Sequence, residues 1–258
     1  FSFCMSYFII NSPVAPVHKK PEFQSEMVTQ ALLGETCTLL KNHENWRYVR
    51  QWDGYEGWIH SFYGIESEDY YEATHSFFEL TGFSEHIKES RKIVYGTKLK
   101  LTNTEGLLFP DGWEGSVPKG FRSTSFKASR DNLLREGRRF LGVPYLWGGK
   151  SSLGIDCSGL IQTIFKSVGI KLPRDAWQQL DYFKDHIIPL DSVKRGDILF
   201  FGKNEKITHT ALSSGGPNFL HSQGWVKEES LDKFQDNFNE KCFQIFKFSV
   251  SVEHLVIT

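Results

Sequence analysis

A chain of 258 residues with 40% hydrophobic and 15% aromatic content holds enough apolar material for a real core, and its length allows one to three domains. Thirty Lys and Arg against 31 Asp and Glu leave a formal charge of -1, which excludes a global field able to hold nucleic acid or an anionic membrane. Four cysteines (Cys4, Cys37, Cys157, Cys242) are scattered with no C-x-x-C spacing, which argues against a disulfide scaffold or a zinc knuckle and leaves at least one free thiol.

In chain order, the first ten residues are apolar but too few to span a bilayer, and no basic residues precede them. An internal repeat follows. Asp53-Gly54-Tyr55-Glu56-Gly57 recurs as Asp111-Gly112-Trp113-Glu114-Gly115, and Gly34, Thr36 and Leu39 before the first copy are matched by Gly96, Thr97 and Leu99 before the second. Short alternating stretches such as Trp46-Arg47-Tyr48-Val49-Arg50, set between Asp-Gly turns, predict hairpins. Two small all-β barrels are expected: one in residues 1–67, beginning at about residue 12, and one in 68–127. The pattern resembles the bacterial SH3-like domains appended to cell-wall enzymes; a generic β barrel fits the same signals.

Beyond residue 127, Ser129 can cap a helix carrying Leu133, Leu134, Phe140 and Leu141 on one face, with Asp131 in its first turn. Gly142 to Gly149 must be a loop, because Pro144 and paired glycines break regular elements. A second helix carries Leu160, Ile161, Ile164, Phe165 and Val168 at helical spacing and stops at Gly169. Strands are predicted over 197–201, 207–212, 218–222 and 243–252, so the third domain, 128–258, is α+β.

Cys157 stands where the second helix begins, with Asp156 as its N-cap. Unpaired N–H groups and the positive end of the helix dipole favour a thiolate there, and beside a histidine such thiols fall to a pKa of roughly 3.5–7.5. The same N–H groups can stabilise an oxyanion, and Gly159 keeps the next position slim for a neighbouring backbone. The plain alternative is a buried small residue, the reading kept for Cys37 and Cys242, which fall in apparent strands. A hairpin centred on Gly215 makes His209 and His221 direct cross-strand partners, with Cβ atoms about 4.5–5.5 Å apart. That suits a base, His209, oriented by a second polar group, His221. A satisfied polar patch, or zinc bound with Cys157, are the competing readings. The other histidines show no comparable pairing.

In order and spacing, Pro144-Tyr145-Leu146-Trp147-Gly148-Gly149, Asp156-Cys157-Ser158-Gly159, Pro173-Arg174-Asp175, Arg195-Gly196-Asp197-Ile198-Leu199-Phe200-Phe201, His209 and His221 resemble the NlpC/P60 family of cell-wall cysteine peptidases, over about residues 128–258. With the SH3-like units ahead of it, this segment looks most like the branch of dipeptidyl-peptidases acting on free murein peptides. The resemblance implies a papain-like catalytic domain behind two SH3-like barrels. It also implies hydrolysis of the bond between γ-D-glutamate and the diamino acid, diaminopimelate or lysine, with release of L-Ala-γ-D-Glu. No metal or other cofactor is expected. Partners are murein tri- and tetrapeptides, with no nucleic acid and no membrane, and the chain is expected to be a monomer.

In that branch a free N-terminal L-alanine is read by acidic and tyrosyl groups. The matching positions are Tyr145, Asp156, Ser158 and Asp175, with Glu26 and Tyr63 from the first barrel. Asp156 and Asp175 can equally serve only as helix caps. Ala176 departs from the branch, which has a hydroxyl residue there. A wall-binding module with an amidase, acyltransferase or inactive papain-like domain is the alternative. With no signal peptide visible in a chain that opens on Phe, a cytoplasmic place in recycling is expected ahead of a periplasmic or secreted one.

Overall fold

The computed structural model describes residues 6–77, 81–86, 89–103, 106–118 and 127–256, and Cys4 lies outside them. The chain divides into two compact units, 1–124 and 125–258. No helix among the described residues is long and apolar enough to cross a membrane.

In the first unit, strands β1 (Tyr7–Ile10), β2 (Val14–His18), β3 (Met27–Leu32), β4 (Thr36–His43), β5 (Trp46–Arg50), β6 (Glu56–His60) and β7 (Gly64–Ser67) form an antiparallel sheet in the order β3-β2-β6-β5-β4-β1-β7. Alternate residues turn inward to a core of Phe8, Ile10, Ala15, Val17, Ala31, Cys37, Val49 and Ile59. Next come β8 (His75–Phe77), β9 (Thr81–His86), β10 (Glu89–Val94), β11 (Thr97–Leu101), β12 (Leu107–Leu108) and β13 (Glu114–Gly115), in a two-stranded and a four-stranded sheet. The repeated turns match in detail. Gly54 and Gly112 take φ of 81° and 83°, and Asp53 and Asp111 each accept a bond from the backbone N–H two residues on, at 3.1 Å. The two strand sets also share a core, since Leu33 joins Phe77, Ile93, Leu99, Leu107 and Phe109.

The second unit holds a six-stranded sheet, order β16-β21-β17-β18-β19-β20, with β16 (Ile187–Ile188), β17 (Ile198–Lys203), β18 (Lys206–Gly215), β19 (Asn218–Gln223), β20 (Trp225–Ser230) and β21 (Phe246–Val250). A small hairpin, β14 (Lys150–Ser151) with β15 (Gly154–Ile155), precedes it. Helices α1 (Arg130–Arg138), α2 (Cys157–Ser167) and α3 (Ala176–Tyr182) pack with the sheet, α2 against β18 and β19. Helix α4 (Glu240–Ile245) packs on β17, and Cys242 of α4 shares a core with Leu199, Phe201, Ala211 and Phe219.

Two sequence expectations change. Helix α1 ends at Arg138, so Phe140 and Leu141 lie in the turn beyond it, Phe140 buried and Leu141 exposed. The strand expected over 243–252 begins only at Phe246: Asn239 accepts a bond from the Cys242 N–H at 2.8 Å and starts α4, which takes Cys242 out of a strand.

Candidate active site

The loop 142–149 is tied down at both ends of its Pro-Tyr pair. Gly142 and Tyr145 donate backbone bonds to the carbonyls of Val226 and Gly224 at 2.9 and 2.8 Å, and Ile155 donates to Pro144. Asp156 then ends β15 and caps α2. One carboxylate oxygen accepts from the Gly159 N–H at 2.7 Å and from Arg174 Nη1 at 3.0 Å; the other accepts from the Gly148 N–H at 2.9 Å and Arg174 Nη2 at 2.6 Å. Arg174 is 2% exposed and also donates to Ser158 Oγ at 3.0 Å. A bidentate guanidinium is the partner that makes a carboxylate tolerable at this depth. Gly159 fits its place for the reason read from the sequence: a Cβ there would lie 2.2 Å from the Gly149 carbonyl oxygen.

Cys157 is the first residue of α2 and 8% exposed. Backbone N–H groups of Ser158 and Thr210 reach its sulfur, and Thr210 adjoins His209. The expected lowering of the thiol pKa is overturned. Burial, and next the Asp156 carboxylate, push it up to about 12, outweighing those N–H groups and Arg174. Burial, and next His221, push His209 down to about 3. Both groups therefore rest neutral, one as a thiol and the other as an imidazole.

The two imidazoles meet, though not as direct partners. Strands β18 and β19 join through Gly216 and Pro217, and an irregularity between Ser213 and Gly215 leaves Leu212 opposite Leu220 and Ser213 opposite Phe219. This register is two residues off the one expected, so His209 and His221 share a face as diagonal neighbours. The imidazoles bridge the diagonal with 2.8 Å between His209 Nε2 and His221 Nδ1. His221, fully buried, places its Nε2 2.8 Å from Glu229 Oε2.

Glu229, whose pKa is pulled down to about 2 by bonds from His221, Asn239 and Lys227 against its own desolvation, is ionised and can only accept. The proton of His221 thus sits on Nε2 and its Nδ1 accepts. His209 in turn donates from Nε2, leaving the Nδ1 lone pair of His209 free to take a proton.

A cavity of about 440 Å³ brings Cys157, His209 and Tyr145 to one surface, with Ser222, Lys203 and Lys241 also lining it. The Tyr145 hydroxyl is held above its ordinary pKa by burial and by Cys157 and Asp156, so it remains a proton donor there. Asp156 and Ser158 lie behind this surface, 7% and 6% exposed. Asp175 begins α3, its N–H donating to Gln178 Oε1 at 3.0 Å. Glu26 and Tyr63 belong to the first unit, where Glu26 pairs with Lys19 at 3.5 Å and Tyr63 packs on the barrel core.

Three features escaped the sequence reading. Glu229 is the third member of the hydrogen-bonded series, and the turn at Gly224 was its signal: it sets Lys227 opposite His221 and Glu229 opposite Phe219, on one face. Arg174 lies 18 residues from its partner, with nothing local to announce the pair. His186 and His254, read as unpaired, stack with ring centroids 3.6 Å apart.

Residues 142–246 match the NlpC/P60 family, and residues 17–61 match the bacterial dipeptidyl-peptidase Sh3 domain. The gamma-D-glutamyl-L-lysine dipeptidyl-peptidase of Bacillus cereus is 29% identical over 231 residues, covering 77% of this chain and 68% of that protein. The protein of the same name from Bacillus subtilis is 46% identical over 118 residues, covering 45% of this chain and 39% of its own length. A solved NlpC/P60 family protein from Bacillus cereus shares the fold, with a TM-score of 0.81 at 21% identity over 95% of this chain and 99% of that one.

Proposed function

We propose that this chain, which carries an NlpC/P60 domain behind a bacterial dipeptidyl-peptidase Sh3 domain, is a cysteine peptidase that cleaves the bond between γ-D-glutamate and the diamino acid of murein peptides. Cys157 is the nucleophile, His209 its base, and His221 with Glu229 the groups that position His209. The observation that carries this reading is the hydrogen-bonded series His209, His221, Glu229, which leaves one imidazole nitrogen unprotonated in the cavity that Cys157 also lines.

Since both reacting groups rest neutral, the thiol proton passes to His209 Nδ1 as the sulfur attacks the γ-glutamyl carbonyl. The oxyanion that forms is held by N–H groups at the start of α2 and by the Tyr145 hydroxyl. His209 then returns the proton to the leaving amine of the diamino acid, and water, deprotonated by the same imidazole, releases L-Ala-γ-D-Glu from the thioester.

The free N-terminal ammonium of L-alanine is read by carboxylate and hydroxyl groups, for which Tyr145, Asp156, Ser158 and Asp175 of the second unit are the candidates. Asp156 acts mainly through Arg174 and the helix start, because each of its oxygens already accepts from Arg174 and from a backbone N–H, that of Gly159 or Gly148. The papain-like arrangement belongs to this proposal, as do a second SH3-like barrel in 68–127 and the three-part division at 67 and 127. The paired turns at Gly54 and Gly112 support the second barrel.

Turnover of L-Ala-γ-D-Glu-diaminopimelate and its lysine counterpart, followed by mass spectrometry, tests the reaction. Cys157→Ala should release no L-Ala-γ-D-Glu while keeping its circular dichroism, and residual turnover would remove Cys157 from the chemistry. N-acetylation of the peptide should abolish cleavage, because a buried site for an ammonium is left unpaired. Equal rates on both forms would discard the amine-reading pocket.

A further inference from the structure

The cysteine that the peptidase reading does not use lies beside its base. Cys242 Sγ, a nitrogen of His209 and a nitrogen of His221 all fall within 4.8 Å of one another. Cys242 is fully buried, its N–H held by Asn239, and Asn239 also bonds Glu229. Two imidazoles and a thiol at this separation, one imidazole already anchored through its far nitrogen to a carboxylate, make the donor set that zinc and its neighbours prefer.

We propose that His209, His221 and Cys242 form a site for a thiophilic divalent transition metal, and that its occupancy silences the base. The silencing rests on the peptidase reading; the binding does not. The ligand atoms are His209 Nε2, His221 Nδ1 and Cys242 Sγ. Zinc–nitrogen bonds of about 2.0–2.1 Å in tetrahedral array need the two nitrogens about 3.3 Å apart. The rings therefore open by about half an ångström from their 2.8 Å hydrogen bond. His221 keeps its Nε2–H on Glu229, which fixes the metal-binding tautomer.

A thiol binds such a metal as its thiolate, so the metal itself must displace the Cys242 proton.

The proton balance follows. The metal takes the nitrogen lone pair at His209 Nε2, and the proton carried there moves to Nδ1 through solvent. The Cys242 proton leaves to solvent, so one proton is released per ion bound. With Nδ1 occupied, His209 no longer accepts from Cys157.

Cobalt(II) reads the thiolate ligand directly. Full-length Cys157→Ala, titrated with cobalt, should develop a thiolate-to-cobalt charge-transfer band at one equivalent. Adding Cys242→Ala or Cys242→Ser should remove that band; its persistence in both double variants would overturn the proposal. Glu229→Gln in the Cys157→Ala background should weaken cobalt binding about 10–100-fold. An unchanged affinity would take His221 out of the ligand set and overturn it as well. In the active chain, buffered zinc should inhibit peptide turnover, and Cys242→Ala should keep basal turnover while needing at least about tenfold more zinc. Equal sensitivity would place the inhibitory zinc on Cys157 and His209 instead. A protein that binds cobalt through Cys242 yet cleaves no murein peptide would sink the peptidase reading alone.

Discussion

Removing the Arg174 guanidinium leaves the Asp156 carboxylate buried with only backbone and hydroxyl donors, and breaking such a pair on one side costs about 3–5 kcal/mol. Arg174→Met should therefore lose stability on that scale in urea titrations, whereas Arg174→Lys, which keeps charge but loses the fork, should lose less. Glu229 acts further from the sulfur. Glu229→Gln should lower kcat about 10–100-fold with KM nearly unchanged, because only the orientation and charge of the imidazoles are affected. The acid limb of the pH–rate profile should also move to lower pH, since Glu229 raises the His209 pKa. A profile that stays in place would make Glu229 merely structural. At this scale Cys157 and the histidine pair were legible, because a helix cap and two like residues on one hairpin are local signals. The direction of the thiol pKa was not, because burial and the nearness of Asp156 to the sulfur belong to the tertiary fold.

Among elements, alternation survived where register did not. The hairpin of β18 and β19 was expected to turn on Gly215, yet its loop is Gly216 and Pro217. An even displacement keeps side chains on their faces, so the imidazoles still met; an odd one would have separated them. Strand β20 went unread because its Trp-Val-Lys-Glu-Glu-Ser sequence alternates weakly, and with it went Glu229. In the first unit, Gly34 has φ +78° and lies where a Cβ would be 1.5 Å from the Lys98 carbonyl oxygen. Gly34→Ala should cost more than the roughly 1–2 kcal/mol of left-handed strain alone, lowering the thermal midpoint, because the turn after β3 must also retreat from β11. A midpoint shift accounted for by strain alone would mean that the turn and β11 separate freely.

For the whole molecule, the same buried groups set the pH range of stability. His209 falls from an ordinary 6.5 to about 3, and Glu229 from 4.5 to about 2. In these windows the unfolded chain binds more protons than the folded one, so stability is complete above about pH 6.5 and is lost as pH falls toward 3 and then 2. Cys157 runs the other way: its rise from 9.0 to about 12 means stability is lost as pH climbs through that interval. Thermal midpoints should be highest between about pH 6.5 and 9, with His209→Asn flattening the acid side. An acid limb unaltered by that substitution would assign the loss to other groups.

One bond described by neither strand nor helix ties these parts together. Ser222 Oγ donates to the Ile155 carbonyl at 2.7 Å, both residues buried, stitching the strand of His221 to the residue two before the nucleophile. The Ile155 carbonyl also accepts from the Leu146 N–H at 3.3 Å, so it is the buried Ser222 hydroxyl that loses its acceptor when the stitch parts, and the two segments should belong to a single cooperative unit of native-state breathing. Deuterium uptake at residues 155–160 and 219–222 should then rise together as denaturant increases, and Ser222→Ala should let the first segment exchange ahead of the second.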